Sequence, residues 1–153
     1  MKKIIFCLLI GLFMCLPTNV SANEKTINST SIEYLDDGSY YVVLIEEVRS
    51  LTRATSTKTG TKTTKYVDTS GKTVWQVSVT GKFSFNGTSS SCTSSSVNAT
   101  SYTSNWVISN KKTSKNGSTA TASATAKRYY SGSLIDTKSK TVTLTCTANG
   151  ILK

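Results

Sequence analysis

Histidine is absent from the sequence, and the single proline, Pro17, falls near the N-terminus. Without histidine the chain lacks the side chain that most often serves as general base, proton shuttle and metal ligand at neutral pH. Acidic residues are scarce too, 8 against 18 lysines and arginines, for a formal net charge of +10. Long apolar runs are missing. The one candidate, Ile4 to Leu16 with Gly11 inside it, is too short for a membrane-spanning helix, which needs about 20 residues. The C-terminal Asn149-Gly150-Ile151-Leu152-Lys153 has neither a hydrophobic tail nor a wall-sorting pattern.

What that short run does fit is a secretory signal. Lys2 and Lys3 supply a positive start, the apolar stretch follows, and Val20-Ser21-Ala22 is a small-residue cleavage site. The expected cut is after Ala22, giving a signal peptide over 1–22 and a secreted, extracellular product. Lipid attachment at Cys7 or Cys15 is disfavoured because Phe6 and Met14 stand where small residues would be needed. Cleavage leaves roughly 130 residues, an ordinary size for one domain. It also removes two of the four cysteines, so Cys92 and Cys146 remain with one way to pair. An oxidising compartment predicts that bridge, and the chain-entropy model gives it about 4 kcal/mol.

Serine and threonine make up about a third of the chain. That favours pleated, solvent-washed strands, because threonine fits a sheet surface and serine competes with helical hydrogen bonds. Two-residue alternation runs through most of the remaining sequence. Trp75, Val77, Val79, Gly81, Phe83 and Phe85 alternate with Gln76, Ser78, Thr80, Lys82 and Ser84. Ala120, Ala122, Ala124 and Ala126 alternate with Thr119, Thr121, Ser123 and Thr125. Val142, Leu144, Cys146 and Ala148 alternate with Thr141, Thr143, Thr145 and Thr147. Each segment has one core face. The alanine row predicts a flat surface on which the bulky Trp75, Phe83 and Phe85 face packs. Turns are marked by Asp36-Asp37-Gly38, Asp68-Thr69-Ser70-Gly71, Asn86-Gly87, Asn116-Gly117 and Ser131-Gly132-Ser133. Regular strands between such turns predict an all-β fold, an antiparallel β-sandwich. The run Tyr40 to Ile45 has no polar face, which predicts a central strand covered on both sides.

Charge divides the chain. Residues 23–48 hold one lysine and six acids, whereas 49–153 hold fifteen basic residues against Asp68 and Asp136. The expected layout is an acidic hairpin over 23–48, a polar linker over 49–60 with trypsin-like sites at Arg49 and Arg53, and a basic sandwich core over 61–153. The acidic segment reads as an integral first hairpin, with a detachable pro-region as the alternative.

Two resemblances add to this. Cys92, Trp106 and Cys146 follow the order found in immunoglobulin domains, so the sandwich resembles them in architecture. Leu144 stands where those domains place a corner tyrosine, and only seven residues follow Cys146, leaving no room for a full final strand. As a whole the chain resembles small secreted proteins of Gram-positive, largely clostridial bacteria, of uncharacterised function. The segments that carry the likeness are Tyr34-Leu35-Asp36-Asp37-Gly38-Ser39-Tyr40, Gly71-Lys72-Thr73-Val74-Trp75, Phe83-Ser84-Phe85-Asn86-Gly87 and Thr141-Val142-Thr143-Leu144-Thr145-Cys146, together with the polar linker. That likeness implies secretion and no known activity.

No motif points to catalysis. The one S-x-x-K match, Ser109-Asn110-Lys111-Lys112, lies in a polar turn instead of on a helix. Gly71-Lys72-Thr73 imitates the end of a phosphate-binding loop, but Tyr66 stands in place of its first glycine and a strand follows. Asp36/Asp37 and Glu46/Glu47 are adjacent and so point to opposite faces of a strand, the wrong arrangement for a carboxylate dyad. Asp36-Asp37-Gly38 is better explained as a turn than as a weak calcium site. The expectation is therefore a non-enzyme without cofactor or metal.

Binding is the remaining class. The excess of cations would attract an anionic cell-wall polymer or glycan, with Lys111, Lys112 and Lys115 near one turn and Lys127 and Arg128 beside Tyr129 and Tyr130 as candidates. A carbohydrate-binding module using Tyr102, Tyr129 and Tyr130 is an alternative. So is a secreted toxin-like or bacteriocin-like effector with an acidic pro-region. The row Thr141, Thr143, Thr145 and Thr147 resembles an ice-binding ladder, though threonine is also the ordinary solvent-facing strand residue. Export and the lack of an aromatic-basic motif argue against nucleic acid. Mass spectrometry of the exported product is expected to show a start at Asn23; a start near Ser50 or Ala54 would support the pro-region instead.

Overall fold

A computed structural model describes residues 24–49 and 57–153. The expected signal peptide and its cleavage site lie outside the described residues, as does 50–56 of the expected linker. Eight strands fill most of the remainder: β1 Glu24–Tyr34, β2 Tyr40–Arg49, β3 Thr57–Val67, β4 Thr73–Phe85, β5 Ser90–Ser101, β6 Trp106–Asn116, β7 Thr119–Tyr130 and β8 Ser133–Thr145. All neighbouring strands are antiparallel. They form a five-stranded sheet in the order β1-β2-β3-β4-β5 and a three-stranded sheet in the order β6-β7-β8.

Turn chemistry sets the registers. Asp68 Oδ1 accepts from the Ser70 amide at 3.0 Å, the Ser70 hydroxyl at 2.6 Å and the Lys72 amide at 3.0 Å, and Gly71 takes φ +80°. Only glycine adopts that conformation without penalty. Asn86 Oδ1 closes the β4–β5 turn by accepting from the Thr88 and Ser89 amides. Ser131 and Gly132 both have positive φ between the paired Tyr130 and Ser133, the two-residue turn whose twist matches a hairpin. In β6 the pairing jumps from Ser109–Thr125 to Lys112–Ser123. Asn110, at φ 50°, takes up the extra residue as a bulge.

The two sheets share one core. Trp75, Val77, Val79 and Phe83 of β4 are fully buried, as are Ala120, Ala126 and Leu144 of the smaller sheet. Gly81 marks a close approach, since a methyl there would stand 3.0 Å from the Ala120 Cβ and 2.5 Å from the Phe83 ring. The alanine row is thus the surface that receives the bulky β4 face, as its spacing predicts. Phe85, expected on that face, is half-buried and packs against the rim of the core, with its ring where Gly150 passes. At the other end Trp75 packs edge-on to Tyr41 and tilted to Tyr66, with centroids 6.2 and 6.1 Å apart. Its Nε1 is buried without a partner.

Three expectations need correction. Cys92 and Cys146 are buried free thiols, not a disulfide. Both backbones dock on the β6–β7 turn, with the Cys92 amide donating to the Gly117 carbonyl at 2.7 Å and the Cys146 amide to that of Ser118 at 3.0 Å. Each thiol turns to a nearby backbone carbonyl, that of Ser94 at 3.3 Å and that of Thr147 at 3.5 Å. Second, β2 is an interior strand, paired with β1 and β3, but it is not covered on both faces. Tyr41 and Ile45 are buried on one face, while Val42 and Leu44 on the other are half-buried. Third, the connectivity is not that of an immunoglobulin domain. Each sheet is a run of sequential hairpins, whereas immunoglobulin strands interleave between sheets through Greek-key connections. In addition, 57–60, expected to be linker, belong to β3.

Close packing makes two substitutions informative. Gly81→Ala is expected to lose about 1–3 kcal/mol by overpacking, and Leu144→Ala about 2–5 kcal/mol through the cavity it leaves. Urea unfolding monitored by tryptophan fluorescence measures both.

Candidate functional site

Chain topology brings three distant segments to one end of the molecule. The β3–β4 turn supplies Asp68 and Lys72, the β5–β6 loop supplies Tyr102, and the facing strands supply Tyr66, Trp106 and Arg128. Together they line a cleft of about 640 Å3. Its walls are fixed by backbone bonds: the Tyr102 amide donates to the Val74 carbonyl and the Tyr129 amide to the Asn105 carbonyl, each at 2.8 Å. Tyr66 and Trp106 are buried at 6% exposure with their rings 5.8 Å apart, while Tyr102 is 51% exposed. Arg128 pairs across β6 with Trp106 and across β8 with Asp136.

The cleft sets two cations, Lys72 and Arg128, against one carboxylate, Asp68, an excess of one positive charge. Asp68 is committed to its turn, where bonds from the Ser70 hydroxyl, the Lys72 amide and the Ser70 amide hold its carboxyl below the usual range despite some desolvation. Lys72 and Arg128 then face the cleft beside aromatic rings. Thr103 contributes a buried hydroxyl without a partner. Such a surface can bind a charged group and stack a ring.

The residues expected to bind do not converge. Arg128 lines the cleft. Tyr129 is half-buried beside it, and Tyr130 is 72% exposed at the β7–β8 turn. Lys127 shares the outer face of the smaller sheet with Lys112, opposite Val107 and Ser123 respectively. Lys111 projects at the β6 bulge, and Lys115 reaches across to the Thr93 carbonyl at 2.7 Å. The threonine row is interrupted: Thr143 pairs with Thr121 and Thr145 bonds Thr119 at 3.0 Å, but Thr147 lies beyond β8 and accepts from the Ile151 amide. Lys72, Trp106 and Asp68 were legible only as turn or core residues; the adjacency of Asp68-x-x-Gly71-Lys72 to the Trp75 strand was the one available signal.

Acidic groups of β1 and β2 are compensated by the rest of the chain. Glu33 meets Lys140 at 2.7 Å, Asp37 meets Lys138 at 3.4 Å and Glu47 meets Lys58 at 2.9 Å. Lys140 also lies 4.1 Å over the Tyr41 ring and Lys138 5.2 Å over that of Tyr66. Burial, with the nearby charges of Tyr66 and Glu33, pushes the Tyr41 phenol up to about 12. The Ser39 hydroxyl and amide, with help from Lys138, hold the Asp37 carboxyl below the usual range.

Among the described residues no group of three or more potential ligands could hold a metal ion, and no helix is long and apolar enough to cross a membrane. No protein-family model matches the chain, and comparisons with curated proteins and with solved structures return no match.

The depressed carboxyls of Asp37 and Asp68 give a signed pH dependence. Their stabilising effect is present above the unfolded value of about 4 and is lost as pH falls through the lower folded values. The urea midpoint is therefore expected to drop on acidification below about pH 4, and to drop less in the Asp37→Asn/Asp68→Asn double variant. Parallel curves for the two proteins would contradict this assignment.

Proposed function

We propose that the chain is a secreted, non-enzymatic β-sandwich protein that binds an anionic cell-surface or extracellular polymer. The observation that carries this reading is the end cleft, where Lys72 and Arg128 stand beside the exposed ring of Tyr102 while the neighbouring carboxylate of Asp68 is held in its turn. A polymer that alternates charged groups with sugar rings satisfies both the cations and the aromatic faces. After cleavage the remaining 16 lysines and arginines against 8 acids supply long-range attraction, and Lys111, Lys112 and Lys127 extend the basic surface beyond the cleft. A carbohydrate-binding module is the same reading with the sugar ring as the main determinant.

An effector with a removable acidic pro-region is less well supported. β2 pairs with β3 from Tyr40–Val67 to Val48–Thr59, and three ion pairs tie the β1–β2 hairpin to β3 and β8. Release would expose the β3 edge and the face of Tyr66.

Binding is tested by retention on isolated Gram-positive cell wall and on polygalacturonate. Retention is expected to fall steeply between low and high salt, and Lys72→Ala/Arg128→Ala should weaken it about tenfold or more, a loss of about 1.4 kcal/mol or greater. Salt-insensitive retention unaffected by that double variant would refute the cleft as the anion site.

A further inference from the structure

A second depression, different in chemistry, opens on the outer face of the five-stranded sheet. Tyr41, Val77 and Val79 point inward to the core, so their neighbours in sequence point outward. Across the strands these outward residues form rows: Leu44, Thr63, Ser78 and Asn98 in one, Glu46, Thr61 and Thr80 in the next. They border a groove of about 380 Å3, with Gln76 at its side. Among the described residues the second sheet packs on the opposite face, leaving this one uncovered.

The floor of the groove is unusual for an uncovered face. Thr63 and Ser78 are each only 7% exposed although their side chains point away from the core. Ser78 Oγ reaches the Asn98 carbonyl at a long 3.4 Å, so the floor keeps hydrogen-bonding capacity that a polar ligand can use. Beside this polar floor, on the same face, lies an apolar strip. Tyr34 is 74% exposed and Ile32 51% exposed, with the Tyr34 and Tyr40 rings 5.7 Å apart.

Charge narrows the choice of ligand. Lys25 and Glu46 neutralise each other at 2.7 Å, leaving Lys65 as the one uncompensated charge among the lining residues. In so basic a protein this groove offers a polyanion little that other surfaces do not. What it offers instead is hydroxyl and amide groups, with the exposed ring of Tyr34 and the half-buried ring of Tyr40 farther along the same face. Neighbouring strands lie about 4.8 Å apart, close to the length of one pyranose ring, so a chain of sugars laid across the sheet meets fresh polar groups at each step. We propose that this outer face binds a neutral polysaccharide chain, its hydroxyls bonding Gln76, Asn98 and the Thr63–Ser78 floor and its ring faces stacking on Tyr34 and Tyr40. This site is separate from the end cleft.

Affinity electrophoresis of the full chain tests it, with hydroxyethylcellulose, xyloglucan, soluble xylan and yeast mannan as neutral probes and polygalacturonate as the acidic one. At least one neutral polymer is expected to retard the protein equally at low and high salt. Tyr34→Ala and the Gln76→Ala/Asn98→Ala double variant should each cut that retardation about tenfold or more, with near-UV circular dichroism confirming that they remain folded. Lys72→Ala/Arg128→Ala should leave it intact. Failure of every neutral polymer to retard the native chain would overturn the proposal, as would equal retardation of the Tyr34→Ala and Gln76→Ala/Asn98→Ala variants. Retardation by polygalacturonate alone, abolished by Lys72→Ala/Arg128→Ala, would overturn it while leaving the end cleft standing. The converse pattern would do the opposite.

Discussion

Everything in the molecule depends on how closely β7 can approach β4. Four alanines in alternate positions, Ala120 through Ala126, are buried to 2% exposure or less, and they give the smaller sheet a surface with almost no relief. Trp75 and Phe83 fill the space so created, while Gly81 lets the Phe83 ring lie over the strand. Interiors pack at crystal-like density, so large side chains on one sheet require small ones opposite. A chain with only 37% hydrophobic residues can close a core in this way because few, large groups do the burying.

The charge division has a structural counterpart. Among the described residues the backbones of β1 and β2 stay apart from the smaller sheet, and only side chains reach across to its β8 edge. Lysines from β8 bridge the gap, meeting acids of the β1–β2 hairpin at their tips and lying over buried tyrosines. Exposed ion pairs contribute little singly. Here the same lysines also cover aromatic faces, so their aliphatic stems and charges act together.

Periodicity made the strands legible and the alanine face predictable, because side chains two apart share a face whatever the topology. The two glycine-marked turns around Asp36-Asp37-Gly38 and Asp68-Thr69-Ser70-Gly71 fell where expected for the same local reason. Two features were not local. The place of Tyr40–Ile45 beside the edge depends on which strands pair, and an apolar run reads alike in a central strand and in one whose outer face is left open. The end cleft joins residues 66–72, 102–106 and 128, separations that no spacing rule connects. Cys92 on β5 and Cys146 just past β8 meet at the same turn, but cysteine arithmetic counts thiols and does not say which way each one points.

The ion pairs that join β8 to the β1–β2 hairpin draw together acids and lysines that lie about a hundred residues apart in the chain. The acidic first hairpin therefore has its countercharge supplied by the last strand, and a change of sign at either end of the sequence is felt at the other.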